Sequence, residues 1–207
     1  MIRNIIFDMG NVLIRWSPRI FTELYPGLSS GERELLYREA FMSPEWVMQD
    51  HGLLREDETV RRVCARLPEH LHPAAEELIC RWDRHRMVID GMYELVEELH
   101  AMGYSLFLAT NASLRHREYW DSFPVSRFFP RERVMLSADW RLLKPDPAFY
   151  GKMLSLFGID AGETLFIDDN PANVESAILC SIQSIVFHDD PAYLRKDLRA
   201  LGVGVSE

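Results

Sequence analysis

The sequence predicts an α/β fold, a parallel sheet with helices on both faces and a helical segment inserted after the first strand. Three observations predict it. Short, continuous apolar runs recur along the chain, at Asn4–Phe7 and then at 104–109, 164–167 and 184–187, with a weaker one at Val134–Leu136. Such runs do not alternate with polar residues, which is how strands covered on both faces read. Amphipathic segments of helical period lie between them, and strand–helix alternation specifies a parallel sheet. The stretch from about Ser17 to Arg86 has no convincing strand.

Each element has its own signal. The first run, NIIF, stops abruptly at Asp8. Within the inserted stretch, candidate helices at 31–41, 56–67 and 73–86 are rich in Glu, Arg, Leu and Trp. Met92, Leu95, Val96, Leu99 and Met102 then fall at helical spacing, with Gly103 behind them as a stop signal. A further helix spans Pro147–Phe157 and is followed by Gly158. The next has Asn170 as N-cap and Pro171 at its first position, with Val174, Ala177 and Ile178 on one face. The expected organisation is a core of residues 1–16 and 87–207 carrying a helical cap of residues 17–86. A helical cap over a sheet edge is a natural place for substrate contacts.

Composition narrows the function. The 207 residues carry a formal net charge of −9, with Lys and Arg scattered, so the basic footprint of a nucleic-acid binder or an anionic-membrane surface is missing. Cys64, Cys80 and Cys180 are odd in number and widely spaced, which argues against a disulfide framework or a cysteine zinc site and fits a reducing cytoplasm. The apolar run near the N-terminus is cut by Asp8 and is too short for a signal peptide or a membrane span. A monomer or homodimer is expected.

Three of the apolar runs end in chemistry-bearing residues: Asp8 after the first, Thr110-Asn111 after the second, and Asp168-Asp169 after the third. Ligands of open parallel sheets bind outside the carboxyl ends of the strands, so these residues should meet at one edge. Lys144, held extended by Pro145, comes between the second and third in sequence. Clustered carboxylates repel one another unless they are protonated or share a cation, and oxygen-only ligands select a hard metal such as Mg²⁺. Lys144 and the Thr110 hydroxyl would add positive charge and a donor suited to a phosphoryl group. Asp8 would then attack phosphorus in line, giving an aspartyl-phosphate that water hydrolyses. Taken singly, an Asp after a strand is usually a turn former, and Asp168-Asp169 could be only a helix N-terminus. Four such signals in sheet-edge positions favour a joint functional reading.

The stretches FDMGNVLI, LFLATN, LKPDPAFY and FIDDNPANVESA resemble the four motifs of the haloacid dehalogenase superfamily, and the resemblance covers essentially the whole chain. It implies a Rossmann-like core and a cap of the C1 type. It also implies Asp8 as nucleophile and metal ligand, Thr110 and Lys144 as phosphate contacts, and Asp169 as the main late metal ligand with Asp168 in support. The backbone carbonyl of Gly10 is implied as a metal ligand, and Asn173 sits where the family often places another polar residue of the metal shell. Most phosphatases of the family carry an Asp where this chain has Gly10, and that Asp protonates the leaving group. The FDMGNV form is similar to bacterial sugar-phosphate phosphatases, including glucose-1-phosphatases, that have glycine there. Such enzymes would rely on a better leaving group, a water or another side chain as proton donor. Arg141 and Ser181 also stand where relatives often have glycine.

The remaining candidates are peripheral. Arg15 could pair with a substrate anion, Trp16 could stack on a sugar or simply pack core against cap, and Asn111 flanks Thr110. His116 matches a His of the similar branch, against the plainer expectation of an exposed helix residue. Trp46, Asp50 and His51 precede Gly52 in an expected cap loop, and Trp82, Arg84 and His85 are expected on a helix surface near the hinge. The resulting expectation is a Mg²⁺-dependent phosphatase of a small phosphorylated metabolite, a sugar phosphate in the first instance. Two alternatives are a phosphate-binding domain with weak or no turnover, and hydrolytic dehalogenation through an ester on Asp8. The second needs no metal, so the retained acidic pair counts against it.

Overall fold

The computed structural model describes residues 1–85 and 87–206, and of His85 only the backbone, so the expected cap boundary at Arg86 and the terminal Glu207 lie outside the described residues. The chain opens with β1 (Asn4–Phe7) and the two-residue β2 (Ile14–Arg15). Five helices follow: α1 (Pro18–Leu24), α2 (Ser30–Leu36), α3 (Pro44–Asp50), α4 (Glu56–Cys64) and α5 (His72–Arg81). After them β3 (Met87–Val88) pairs antiparallel with β2, so the chain enters and leaves the helical stretch through one short ladder.

From there strands and helices alternate. The order is α6 (Met92–Ala101), β4 (Ser105–Thr110), α7 (His116–Tyr119), β5 (Val134–Leu136), α8 (Ser137–Trp140) and α9 (Pro147–Phe157). It finishes with β6 (Thr164–Asp168), α10 (Pro171–Leu179), β7 (Gln183–Val186) and α11 (Pro191–Ala200). The main sheet is parallel in the order β5-β4-β1-β6-β7. The chain therefore builds outward on one side of β1, then crosses to build on the other. That reversal makes the carboxyl end of β1 the switch point at which such sheets bind ligands.

The unbroken apolar runs are explained by two cores. Successive strand residues point to opposite faces. Ile5, Phe7, Leu106, Leu108, Leu165 and Ile167 join one core with Leu95 and Leu99 of α6 and Leu194 and Leu198 of α11. Ile6, Phe107, Ala109 and Phe166 join the other with Phe149, Tyr150 and Met153 of α9 and Ala177 of α10. Each fully buried large apolar side chain contributes about 1.5–3 kcal/mol, so both faces must stay apolar.

Helix ends follow local chemistry. Ser29 and Glu32 form a reciprocal capping box on α2. Asn170 caps α10 by accepting from Ala172 N–H, as its sequence predicts. Gly103 and Gly158 adopt positive φ after α6 and α9. Some expectations need correction. The helix expected at 31–41 is α2 followed by a π turn over Tyr37–Phe41, and that at 73–86 is α5 followed by a 3₁₀ turn over Trp82–His85. Met102 and Ile178, expected on buried faces, are exposed. Among the described residues no helix is long and apolar enough to cross a membrane, and the three cysteines are unpaired.

Candidate active site

The register of the sheet assembles the site. Phe7 is level with Leu108 of β4 and Ile167 of β6, so the next positions bring Asp8, Ala109 and Asp168 side by side. Asp8 N–H donates to Ile167 O at 2.8 Å, which continues the ladder one residue past the strand. Lys144 arrives from the loop after α8 and buries its ammonium among these groups. Its Nζ donates to Asp8 Oδ1 at 2.8 Å, to Asp168 Oδ2 at 2.6 Å and to the Ala109 carbonyl at 3.1 Å. Thr110 closes β4 and is buried beside them.

Every anion in this group is held in place. Asn173 Nδ2 donates to both Asp168 oxygens at 3.0 and 3.1 Å, and Asn170 N–H donates to Asp168 Oδ1 at 2.9 Å. Asn11 Nδ2 donates to Asp169 Oδ2 at 3.1 Å, while its Oδ1 accepts from Trp16 N–H at 3.0 Å. Asn11 sits at φ 53°, a left-handed conformation that Asn tolerates better than most residues. An Asn within the tight MGNV turn is a recognisable signal for that conformation, though strand ends and motif spacing do not single out Asn11.

Electrostatics follow from this packing. Burial raises the Asp8 carboxyl above its ordinary range; Lys144 opposes the shift and Asp168 adds to it. Burial and Asp168 likewise raise Asp169, against the pull of Asn11. Burial works against the Lys144 ammonium too, but Asp8 and Asp168 outweigh it and hold its pKa above the usual lysine value. One carboxylate oxygen from each of Asp8, Asp168 and Asp169 lies within 4.8 Å of the others. Three carboxylates against one ammonium leave an excess of negative charge in a poorly solvated place. An all-oxygen donor set of this kind fits a hard divalent cation.

These groups form the floor of a cavity of about 280 Å³. Gly10, Asn111 and Trp16 also line it, and its remaining wall comes from Trp46, Gln49, Asp50, Trp82, Arg115 and Tyr119. Asp168 lies behind that floor, fully buried, as the counter-charge of Lys144. Trp16 lines the cavity and packs on Trp46 with ring centroids 5.8 Å apart.

Two candidates lie elsewhere. Arg15 points away from the cavity and makes a bidentate pair with Asp189 at 2.7 and 2.9 Å, because the β2–β3 ladder turns it toward the loop after β7. His116 is completely buried, neither a wall of the active-site cavity nor an exposed helix residue. It packs on Tyr119 and Trp120, and its Nδ1 lies 3.2 Å from Tyr119 Oη.

Trp82, expected on a surface, is buried and lines the cavity, whereas Arg84 is exposed and pairs with Glu77. Trp46 and Asp50 line the cavity and His51 does not. Arg141 and Ser181 both adopt positive φ, at 53° and 65°. Gln49, Arg115 and Tyr119 carried no local signal, because only the packing of the helical segment on the core brings them to the cavity.

A profile of haloacid dehalogenase-like hydrolases matches residues 2–180. The chain belongs to that family. Among relatives of this haloacid dehalogenase-like hydrolase, Flavin mononucleotide hydrolase 1 of Arabidopsis thaliana is 32% identical over 118 residues, 57% of this chain and 47% of its own length. The chain thus spans about half of that relative. A sesquiterpene phosphatase of Aspergillus oryzae is 26% identical over 183 residues, 83% of each chain. The fold is shared with a haloacid dehalogenase family enzyme of Bacteroides thetaiotaomicron solved with magnesium and inorganic phosphate. That comparison gives a TM-score of 0.70 at 20% identity, over 94% of this chain and 99% of the other.

Proposed function

We propose that this haloacid dehalogenase-like hydrolase is a Mg²⁺-dependent phosphomonoesterase acting on a small phosphorylated metabolite, a sugar phosphate in particular, through an aspartyl-phosphate on Asp8. The observation that carries the reading is the grouping of Asp8, Asp169 and the Lys144 ammonium on the floor of one cavity, with Asp168 buried directly behind Lys144. Two relatives named for hydrolysis of FMN and for a phosphatase activity support it. Residues 17–86 are read as the cap, residues 1–16 and 87–207 as the catalytic core, and the free cysteines suit a cytoplasmic setting.

In this mechanism Asp8 supplies the attacking oxygen, and its approach is fixed by the hydrogen bond from Lys144 Nζ. Lys144 and the Thr110 hydroxyl stabilise charge on the equatorial phosphoryl oxygens. Mg²⁺ would be held by Asp8, Asp169 and the Gly10 carbonyl, with Asp168 in support, and would neutralise phosphoryl charge there. Asn11 orients Asp169, and Asn173 orients Asp168. The cavity, about 280 Å³, falls just below the range of roughly 300–1,000 Å³ typical of drug-sized ligands, which favours a compact substrate. Trp16 and Trp46 offer aromatic faces for a sugar ring, and the buried Gln49 Nε2, without a partner among the described residues, offers a donor to a hydroxyl.

The test is phosphate release from a panel of sugar phosphates, nucleotides and 4-nitrophenyl phosphate, with Mg²⁺ and with a chelator. Chelator-sensitive turnover with preference for a sugar phosphate is the expected outcome. Turnover indifferent to the chelator would contradict the metal assignment, and preference for a nucleotide would contradict the substrate class.

A further inference from the structure

We infer that Asp50, at the end of α3, is the proton donor to the leaving group, the role that Gly10 leaves vacant. The inference rests on the phosphatase reading and assigns one of its missing parts. An in-line attack by Asp8 puts the departing oxygen on the far side of phosphorus, toward the wall contributed by the helical segment. Asp50 is the carboxyl on that wall.

Its position is fixed from three directions. The Trp46 side chain, one helical turn earlier, lies close enough to the Asp50 carboxyl to act on it. The Asp50 carbonyl accepts from Ser137 Oγ, which itself accepts from Ala112 N–H at 2.9 Å, so the end of α3 is tied to the loop that follows Thr110 at the end of β4. Two residues on, Gly52 (φ 71°) packs so tightly on α8 that a Cβ there would lie 2.4 Å from the Ala138 carbonyl. Burial, with the nearby Asp8 and Glu56 carboxylates, raises the Asp50 carboxyl well above its usual range, which keeps a proton available.

The other groups on this wall are poorer acids. A guanidinium such as that of Arg115 serves as a hydrogen-bond donor and not as a general acid. The Tyr119 hydroxyl sits against His116, and burial drives it further from ionisation.

The steps balance. A lone pair of Asp8 forms the new O–P bond as the ester P–O bond breaks. The departing oxygen takes that electron pair and the Asp50 proton, leaving as an alcohol. Asp50, now a carboxylate, accepts a proton from the water that attacks the aspartyl-phosphate. Phosphate departs, and both carboxyl groups return to their starting states.

The experiment compares kcat/KM, which reports the first step, for wild type and Asp50→Asn on an alkyl phosphate (a hexose phosphate) and on 4-nitrophenyl phosphate, whose leaving group needs no proton. General acid catalysis is worth roughly 10²–10⁴-fold. A loss of that size is expected on the alkyl ester, with less than about tenfold on the aryl ester. Retained aryl activity also shows that the variant is folded. Adding Gly10→Asp to Asp50→Asn should restore the alkyl activity at least about tenfold. An added Cβ at Gly10 meets Trp16 Cβ at 3.6 Å, an ordinary contact, so the site has room. Equal losses on both esters, or no loss on either, overturn the assignment while leaving the phosphatase reading intact. A wild type silent on both esters overturns the phosphatase reading and the assignment with it.

Discussion

The side chain of Asn111 pairs with the backbone of Lys144 as a strand partner would. Asn111 Nδ2 donates to Lys144 O at 3.0 Å, and Lys144 N–H donates to Asn111 Oδ1 at 2.9 Å. The end of β4 thereby fixes a residue 33 positions further along, and with it the ammonium that joins Asp8 to Asp168.

Replacing Asn111 with Ala leaves both Lys144 backbone groups without that partner. The expected cost is about 1–3 kcal/mol of stability. A displaced Lys144 should also lower kcat/KM by roughly 10²-fold, the scale of a 1 Å misplacement in an active site. Urea unfolding and steady-state kinetics check the two effects. Unchanged kinetics with lowered stability would make the pairing purely structural.

Ser181 and Arg141 are exposed residues in a conformation that suits glycine. A left-handed L-residue costs about 1–2 kcal/mol, partly offset by the greater unfolded-state freedom of glycine. Ser181→Gly and Arg141→Gly should each raise stability by about 0.5–1 kcal/mol. Chemical unfolding midpoints measure this, and a lowered midpoint would contradict the strain.

The pH dependence of stability has a specific contributor in His116. Burial lowers its pKa from 6.5 to about 3, with Arg117 adding to the effect. Below pH 6.5 the unfolded chain therefore takes up a proton that the folded chain refuses. The stabilisation is complete above that pH and is lost as pH falls toward 3, by about 1.4 kcal/mol per unit. His116→Phe should flatten the acid limb by that slope when unfolding free energies are compared from pH 4.5 to 7.5. Parallel curves for the two proteins would contradict a neutral, buried His116.

The parts of this protein readable from sequence are those whose physics is local. Asn4–Phe7 and Val134–Leu136 are strands as expected, and the others shift by only a residue or so: β4 begins at Ser105 instead of Tyr104, and β7 ends at Val186 instead of Phe187. Apolar runs between two cores and the caps at Asn170 and Gly158 leave little choice. The grouping of Asp8, Thr110, Lys144 and Asp168 follows from strand ends in one parallel sheet. The far wall of the cavity did not follow. Gln49, Arg115 and Tyr119 depend on how α3 and the 111–133 segment pack, which no period encodes. Arg15 and His116 lie away from their expected places for the same reason: a two-residue ladder turns one toward Asp189, and an aromatic cluster encloses the other.

The central claim is that Asp8 is the nucleophile, and the most direct test is Asp8→Asn. Phosphate release would be measured with Mg²⁺ beside wild type on the best ester, together with thermal unfolding of both proteins. Turnover should fall by roughly 10³-fold or more, while the unfolding temperature stays level or rises, because a buried charge is removed. Turnover that survives in a folded Asp8→Asn protein would contradict the account.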